Sequence, residues 1–138
     1  MNFTRRDALA LGLGAAVVSV LPFRVLAASD DAMSAFTGGV AAGDGGITMT
    51  APEIAENGNT VPVSVDAPGA ATSAIFATGN PTPGVATFNF GPLSGSQSAS
   101  TRIRLAGTQD VVAIAKMADG SFVKASATVK VTIGGCGG

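Results

Sequence analysis

The stretch Val61-Pro62-Val63-Ser64-Val65-Asp66 puts an apolar residue at every second position. Side chains alternate faces with a period of two only along an extended strand, so these six residues specify a strand with one buried side. The same signature recurs along the chain. Ile47 to Thr50, Ser73 to Thr78 and Val85 to Phe90 read as strands. Thr101 to Ala106 alternates Arg102 and Arg104 with Ile103 and Leu105, and Val111 to Met117 and Phe122 to Lys124 follow. In the last run, Ala127 to Ile133, Val129, Val131 and Ile133 are expected to face inward and Lys130 and Thr132 outward.

Turn chemistry separates these runs. Asn57-Gly58 is a turn signal, Gly79 to Gly84 holds two prolines and two glycines, and Gly91 to Ser98 and Ala118-Asp119-Gly120 close further connections. Pro62 has no N–H to give a ladder, so its strand is expected at a sheet edge or with Pro62 turned away from its partner. Only the segment from Asp30 to Gly43 reads as a short helical turn, broken by Gly38-Gly39. About seven short strands with turns every 8–12 residues predict an all-β fold, an antiparallel β-sandwich over residues 29–133.

Residues 1–28 read as an export signal. Arg5 and Arg6 precede an apolar run from Ala8 to Leu21, then Pro22 and small residues at Ala27-Ala28. That run is shorter than the roughly 20 residues a membrane-spanning helix requires, so no stable membrane association is expected. The paired arginines point to the twin-arginine route, although Ala8 stands where that pattern usually has Phe. The exported product is expected in the bacterial periplasm, with roughly 110 residues, the size of one domain.

From Ser29 onward the acidic residues outnumber the basic ones, no run of Lys or Arg occurs, and Tyr and Trp are absent. These features argue against nucleic-acid binding. The chain has no histidine and one cysteine, Cys136, set between Gly134-Gly135 and Gly137-Gly138. Neither a zinc site nor a Cys–His nucleophile can be assembled from that inventory, and no cofactor is expected. An unpaired cysteine in an oxidising compartment is either reactive or bonded to another chain.

Residues 134–138 therefore read as a flexible arm. Glycines remove the side chains that would widen it, and a fully extended chain carries Cys136 roughly 10 Å past the last strand. Such an arm suits a thiol offered to the narrow site of another protein. A frayed terminus remains open, as does a structural or adhesive sandwich dimerised through a Cys136 disulfide. A self-contained thiol enzyme lacks a local group to ionise the thiol, whose ordinary pKa is about 8.5.

The segment VKVTIGGCGG, Val129 to Gly138, resembles the C-terminus of the SoxY family, the sulfur-carrier subunits of the bacterial thiosulfate-oxidising Sox system. Ala51 to Val65, Asn80 to Phe88 and Ser100 to Lys116 agree as well, whereas Asp30 to Gly46 matches least. The resemblance implies an immunoglobulin-like sandwich paired with SoxZ, a second subunit of similar fold. It implies that Cys136 is the covalent attachment point for sulfur intermediates, with Gly134, Gly135, Gly137 and Gly138 as the arm. Implied partner enzymes are a c-type cytochrome that loads thiosulfate as a cysteine S-thiosulfonate and a manganese-dependent hydrolase that releases sulfate. In many organisms a molybdenum- and haem-containing sulfur dehydrogenase completes the set. The carrier itself would hold no cofactor.

Overall fold

A computed structural model of the protein describes residues 23–133, with side-chain detail from residue 28 onward. The arm at 134–138, with Cys136, and all but residues 23–28 of the expected export segment lie outside the described residues. One helix, α1 (Phe23–Thr37), precedes nine strands: β1 (Gly43–Asp44), β2 (Thr48–Thr50), β3 (Ile54–Ala55), β4 (Val61–Asp66), β5 (Ala70–Ala77), β6 (Gly84–Asn89), β7 (Ser98–Ile103), β8 (Gln109–Met117) and β9 (Phe122–Val131). The larger sheet runs β1-β9-β8-β5-β6, with β3 added to the far end of β9, and the smaller runs β2-β4-β7. The expected sandwich is present, with two short parallel strands as its departure from an antiparallel pattern.

The valine alternation fixes the core. Val61, Val63 and Val65 are buried and meet Ile75, Val111, Ala113 and Val129 of the opposing sheet. The strand carrying Pro62 is central in its sheet rather than at an edge. Its register explains how the proline is accommodated. Ala67 N–H donates to Gln97 O at 3.0 Å, which places the ladder bonds to β7 at odd-numbered residues of β4. Even-numbered residues then face β2, and β2 ends at Thr50 opposite Ser64. Pro62 lies past that end, where no carbonyl awaits a donor.

Three further expectations change. The runs at Phe122 and Ala127 form one continuous strand, because β8 is long enough to pair with all of it. The strand expected at Thr101 starts earlier, at Ser98. Ile133, expected inward, is 61% exposed, since β9 ends at Val131 and the chain passes beyond the sandwich.

The helix is longer than a single turn and spans the expected processing point at Ala27-Ala28. Ala32, Met33 and Phe36 pack on the outer face of the large sheet against Ala74, Phe76, Ile114 and Phe122. Phe36 meets the rings of Phe76 and Phe122 edge-on, with centroids 6.0 and 5.9 Å away. Such pairs contribute about 0.5–1.5 kcal/mol beyond the area they bury. Gly38, at φ 66°, ends the helix in a left-handed turn closed by Gly39 N–H donating to Ser34 O at 3.2 Å.

Candidate functional site: the root of the carrier arm

Residues 130–133 lead directly in sequence to the glycine-flanked cysteine, so what holds them fixes the point from which that segment starts. The strand is gripped on both sides. On one side the segment before β4 crosses from the small sheet to the β9 edge and back. Lys130 N–H donates to Glu53 O at 2.9 Å and Thr132 N–H to Ala55 O at 3.0 Å. The Thr132 hydroxyl donates to Glu56 O at 3.0 Å. Gly58 N–H closes the series on Ile133 O at 2.7 Å, while Gly58 O accepts the Leu105 N–H at 2.8 Å. Gly58 is buried, and its two backbone groups tie the arm root to the β7–β8 connection.

On the other side stands Thr108. Its hydroxyl accepts the Val131 N–H at 3.0 Å and donates to Val131 O at 3.4 Å, continuing the ladder by one side chain past Gln109. Two residues before Val131, Val129 is fully buried. The root is thus a short, doubly bonded strand end anchored by a core valine, and the last described residue, Ile133, is exposed.

Next to Thr108 in sequence, Gln109 forms a polar pair with Asn80 inside the domain. Asn80 and Gln109 are each 8% exposed. Asn80 Nδ2 donates to Arg104 O at 2.7 Å, and Asn80 Oδ1 accepts the Ala106 N–H at 2.8 Å and Gln109 Nε2 at 2.9 Å. Gln109 Nε2 also donates to Gly107 O at 3.0 Å, and Gln109 Oε1 accepts the Gly79 N–H at 2.8 Å. Buried amides must satisfy both ends, and here each does. A Cβ at Gly79 would stand 3.0 Å from Gln109 Cβ, so this close approach needs glycine.

Sequence reasoning placed Asn57-Gly58 and Gly79 to Gly84 as turns but assigned them no role at the site. Nor did it find Thr108, Asn80 or Gln109. Their roles come from contacts 23 to 30 residues apart in sequence, which no local pattern encodes. Asn80 next to Pro81 was the one available signal, since Asn before Pro favours turn initiation.

Elsewhere the surface is chemically plain. Among the described residues no cluster of three or more His, Cys, Asp or Glu could hold a metal, and no helix is long and apolar enough to cross a membrane. A groove of about 560 Å³ lies on the outer face of the small sheet. Its walls include Thr50, Pro52, Pro62, Ser64, Ser100 and Arg102, a set without a carboxylate or thiol. At Asp119 the Ser121 hydroxyl at 2.6 Å, and then the Ser121 N–H at 2.9 Å, lower the carboxyl below its ordinary value.

A family model described as sulfur oxidation protein SoxY matches residues 33–136, a span that reaches Cys136. Among solved structures, the sulfur carrier protein SoxY from Chlorobium limicola f. thiosulfatophilum is 39% identical with a TM-score of 0.66, covering 75% of this chain and 96% of that one. Superoxide reductase (neelaredoxin) from Ignicoccus hospitalis has a TM-score of 0.55 at 16% identity, over 63% of this chain and 80% of that one. A putative superoxide reductase from Thermotoga maritima has a TM-score of 0.53 at 15% identity, over 70% and 89%. Likeness at that identity shows a shared sandwich and nothing of its chemistry. No curated protein matches the chain.

Proposed function

The chain belongs to the SoxY family, and from that premise we propose that it is a periplasmic sulfur carrier whose cargo is bonded to Cys136. The observation that carries this reading is the arm root. Backbone hydrogen bonds at Lys130, Thr132 and Ile133, with the hydroxyls of Thr132 and Thr108, fix the strand end within three residues of the thiol. The described chain ends at an exposed Ile133, and the glycine-flanked thiol follows three residues later in sequence.

The chemistry follows from that single thiol. In loading, the Cys136 thiolate and the sulfane sulfur of thiosulfate form an S–S bond, and the pair of electrons released goes to a c-type cytochrome. The product is a cysteine S-thiosulfonate. A manganese-dependent hydrolase then adds one water to the terminal sulfone sulfur, releasing sulfate and two protons and leaving a persulfide on Cys136. Where a molybdenum- and haem-containing sulfur dehydrogenase is present, it oxidises that remaining sulfur. Metal and haem chemistry belong to the visiting enzymes, and the carrier contributes attachment, reach and retention. Thiolate is the reactive form, so the loading enzyme must supply the positive surroundings that the glycine arm lacks.

The reading also places the protein in complex with a SoxZ subunit and brings it to the periplasm through the segment 1–28. Incubation with thiosulfate and the loading cytochrome should give a mass adduct confined to the peptide containing Cys136. Cys136→Ser should lose the adduct and all sulfate release. Full turnover by that variant would sink the proposal, and a stoichiometric disulfide dimer with no adduct in protein from its source would favour a structural sandwich instead.

A further inference from the structure

The large sheet treats its two edges differently. The β9 edge is covered by β1 at Val123-Lys124 and by β3 at Lys130-Val131. The opposite edge, β6, pairs with no further strand among the described residues. Phe90 N–H donates to Ala71 O at 2.9 Å, which sets the ladder bonds to β5 at Phe88 and Ala86. The N–H and C=O groups of Thr87 and Asn89 therefore point outward along the bare edge. The next strand in sequence, β7, is likewise an outer strand of its own sheet.

An unpaired edge is a template for another strand, and soluble proteins guard such edges with lysine, proline or a bulge. A bulge at Ile75/Phe76 and the prolines of the preceding loop guard only the start of β6. From Val85 to Asn89 nothing does. No charged residue occurs anywhere from 67 to 101, a span of 35 residues that includes all of β6 and the part of β7 before Arg102. Thr87 and Asn89 are exposed, and in the loop beyond them Leu93 is 98% exposed.

We infer that β6 is the seat of the partner sandwich subunit, which adds one of its own strands to this edge. The unpaired backbone groups call for a strand, and the uncharged surround imposes no desolvation of charge when a β-rich partner docks. Position favours this occupant over any at the other edge. β6 lies three strands from β9, roughly 14 Å at ordinary strand spacing, so a subunit seated there leaves the arm root open to visiting enzymes. The identity of the partner rests on the carrier reading above, whereas the location rests on the edge itself.

Thr87 is the position to test, because its backbone groups face outward and its side chain is exposed. Thr87→Pro removes an outward N–H, and Thr87→Lys puts a charge on the edge. Each should weaken binding of purified SoxZ subunit by about tenfold or more in titration calorimetry while the melting temperature of the isolated chain is kept. If the proline variant does not fold, the lysine variant decides. Unchanged affinity in the folded variants overturns the inference. So does a wild-type chain that fails to bind the subunit, or one whose self-association is dissolved by Thr87→Lys while subunit binding persists. Cys136→Ser should bind the subunit as tightly as wild type, so loss of the carrier chemistry and loss of the edge are separate readouts.

Discussion

The edges at β9 and β6 border the same sheet, and they are built on opposite principles. At β9 the chain spends two short strands, a threonine hydroxyl and a buried glycine on pairing the backbone. Charged residues gather there: Asp44, Glu53, Glu56, Lys124 and Lys130 all lie on or beside the paired segments. At β6 no further strand pairs among the described residues, and the strand itself carries no charge. The lesson is that the molecule fixes the strand that leads to its thiol and leaves unsatisfied the strand farthest from it.

The largest expected effect bears on the fixed edge. Asn80→Leu would strand Arg104 O and the Ala106 N–H in the interior and take one of two acceptors from Gln109 Nε2, at a cost of about 3 kcal/mol in denaturant unfolding. Amide exchange at Val131 should quicken in the same variant if the Asn80 pair positions Thr108. Exchange that stays slow would separate the pair from the arm root. Thr108→Val, which removes one acceptor from the Val131 N–H, should cost about 1 kcal/mol and act on the last turn of β9 alone. A loss spread evenly over β8 and β9 would show that the root is not a local device. On the bare edge, Thr87→Lys should change the stability of the isolated chain by less than about 0.5 kcal/mol, since nothing there depends on it.

The smallest effect is one of pH at the hairpin joining β8 to β9. Asp119 is held below its ordinary value by Ser121, so its contribution is present above the unfolded-state pKa and fades as pH falls through the lowered folded value. It is fully exposed, and screening keeps the effect slight. Titration of Asp119 by NMR in Ser121→Ala should return it upward. An unmoved value would assign the shift elsewhere.

Legibility followed the range of the interaction. Period-two valines at 61, 63 and 65 declare a half-buried strand because side-chain direction is a local consequence of backbone geometry. Gly38-Gly39 ends a helix for an equally local reason. Pro62 was read correctly as a missing donor, but whether that meant an edge or an unpartnered spot depended on where β2 stops. Ile133 continued an inward alternation that the end of the sandwich cut short. Helix α1 starts at Phe23 rather than Asp30, and its C-terminal half is held by Phe36 against the rings of Phe76 and Phe122, distant in sequence.

By itself the sequence determined an alternating, histidine-free sandwich with one cysteine among glycines, because periodicity, turn chemistry and residue inventory are properties of neighbours along the chain. Only the tertiary structure decided which edge of the large sheet is closed around the arm root and which is left open. Edge pairing joins segments as far apart as Ala55 and Val131, and the free energy of such contacts exists only once the fold has brought them together.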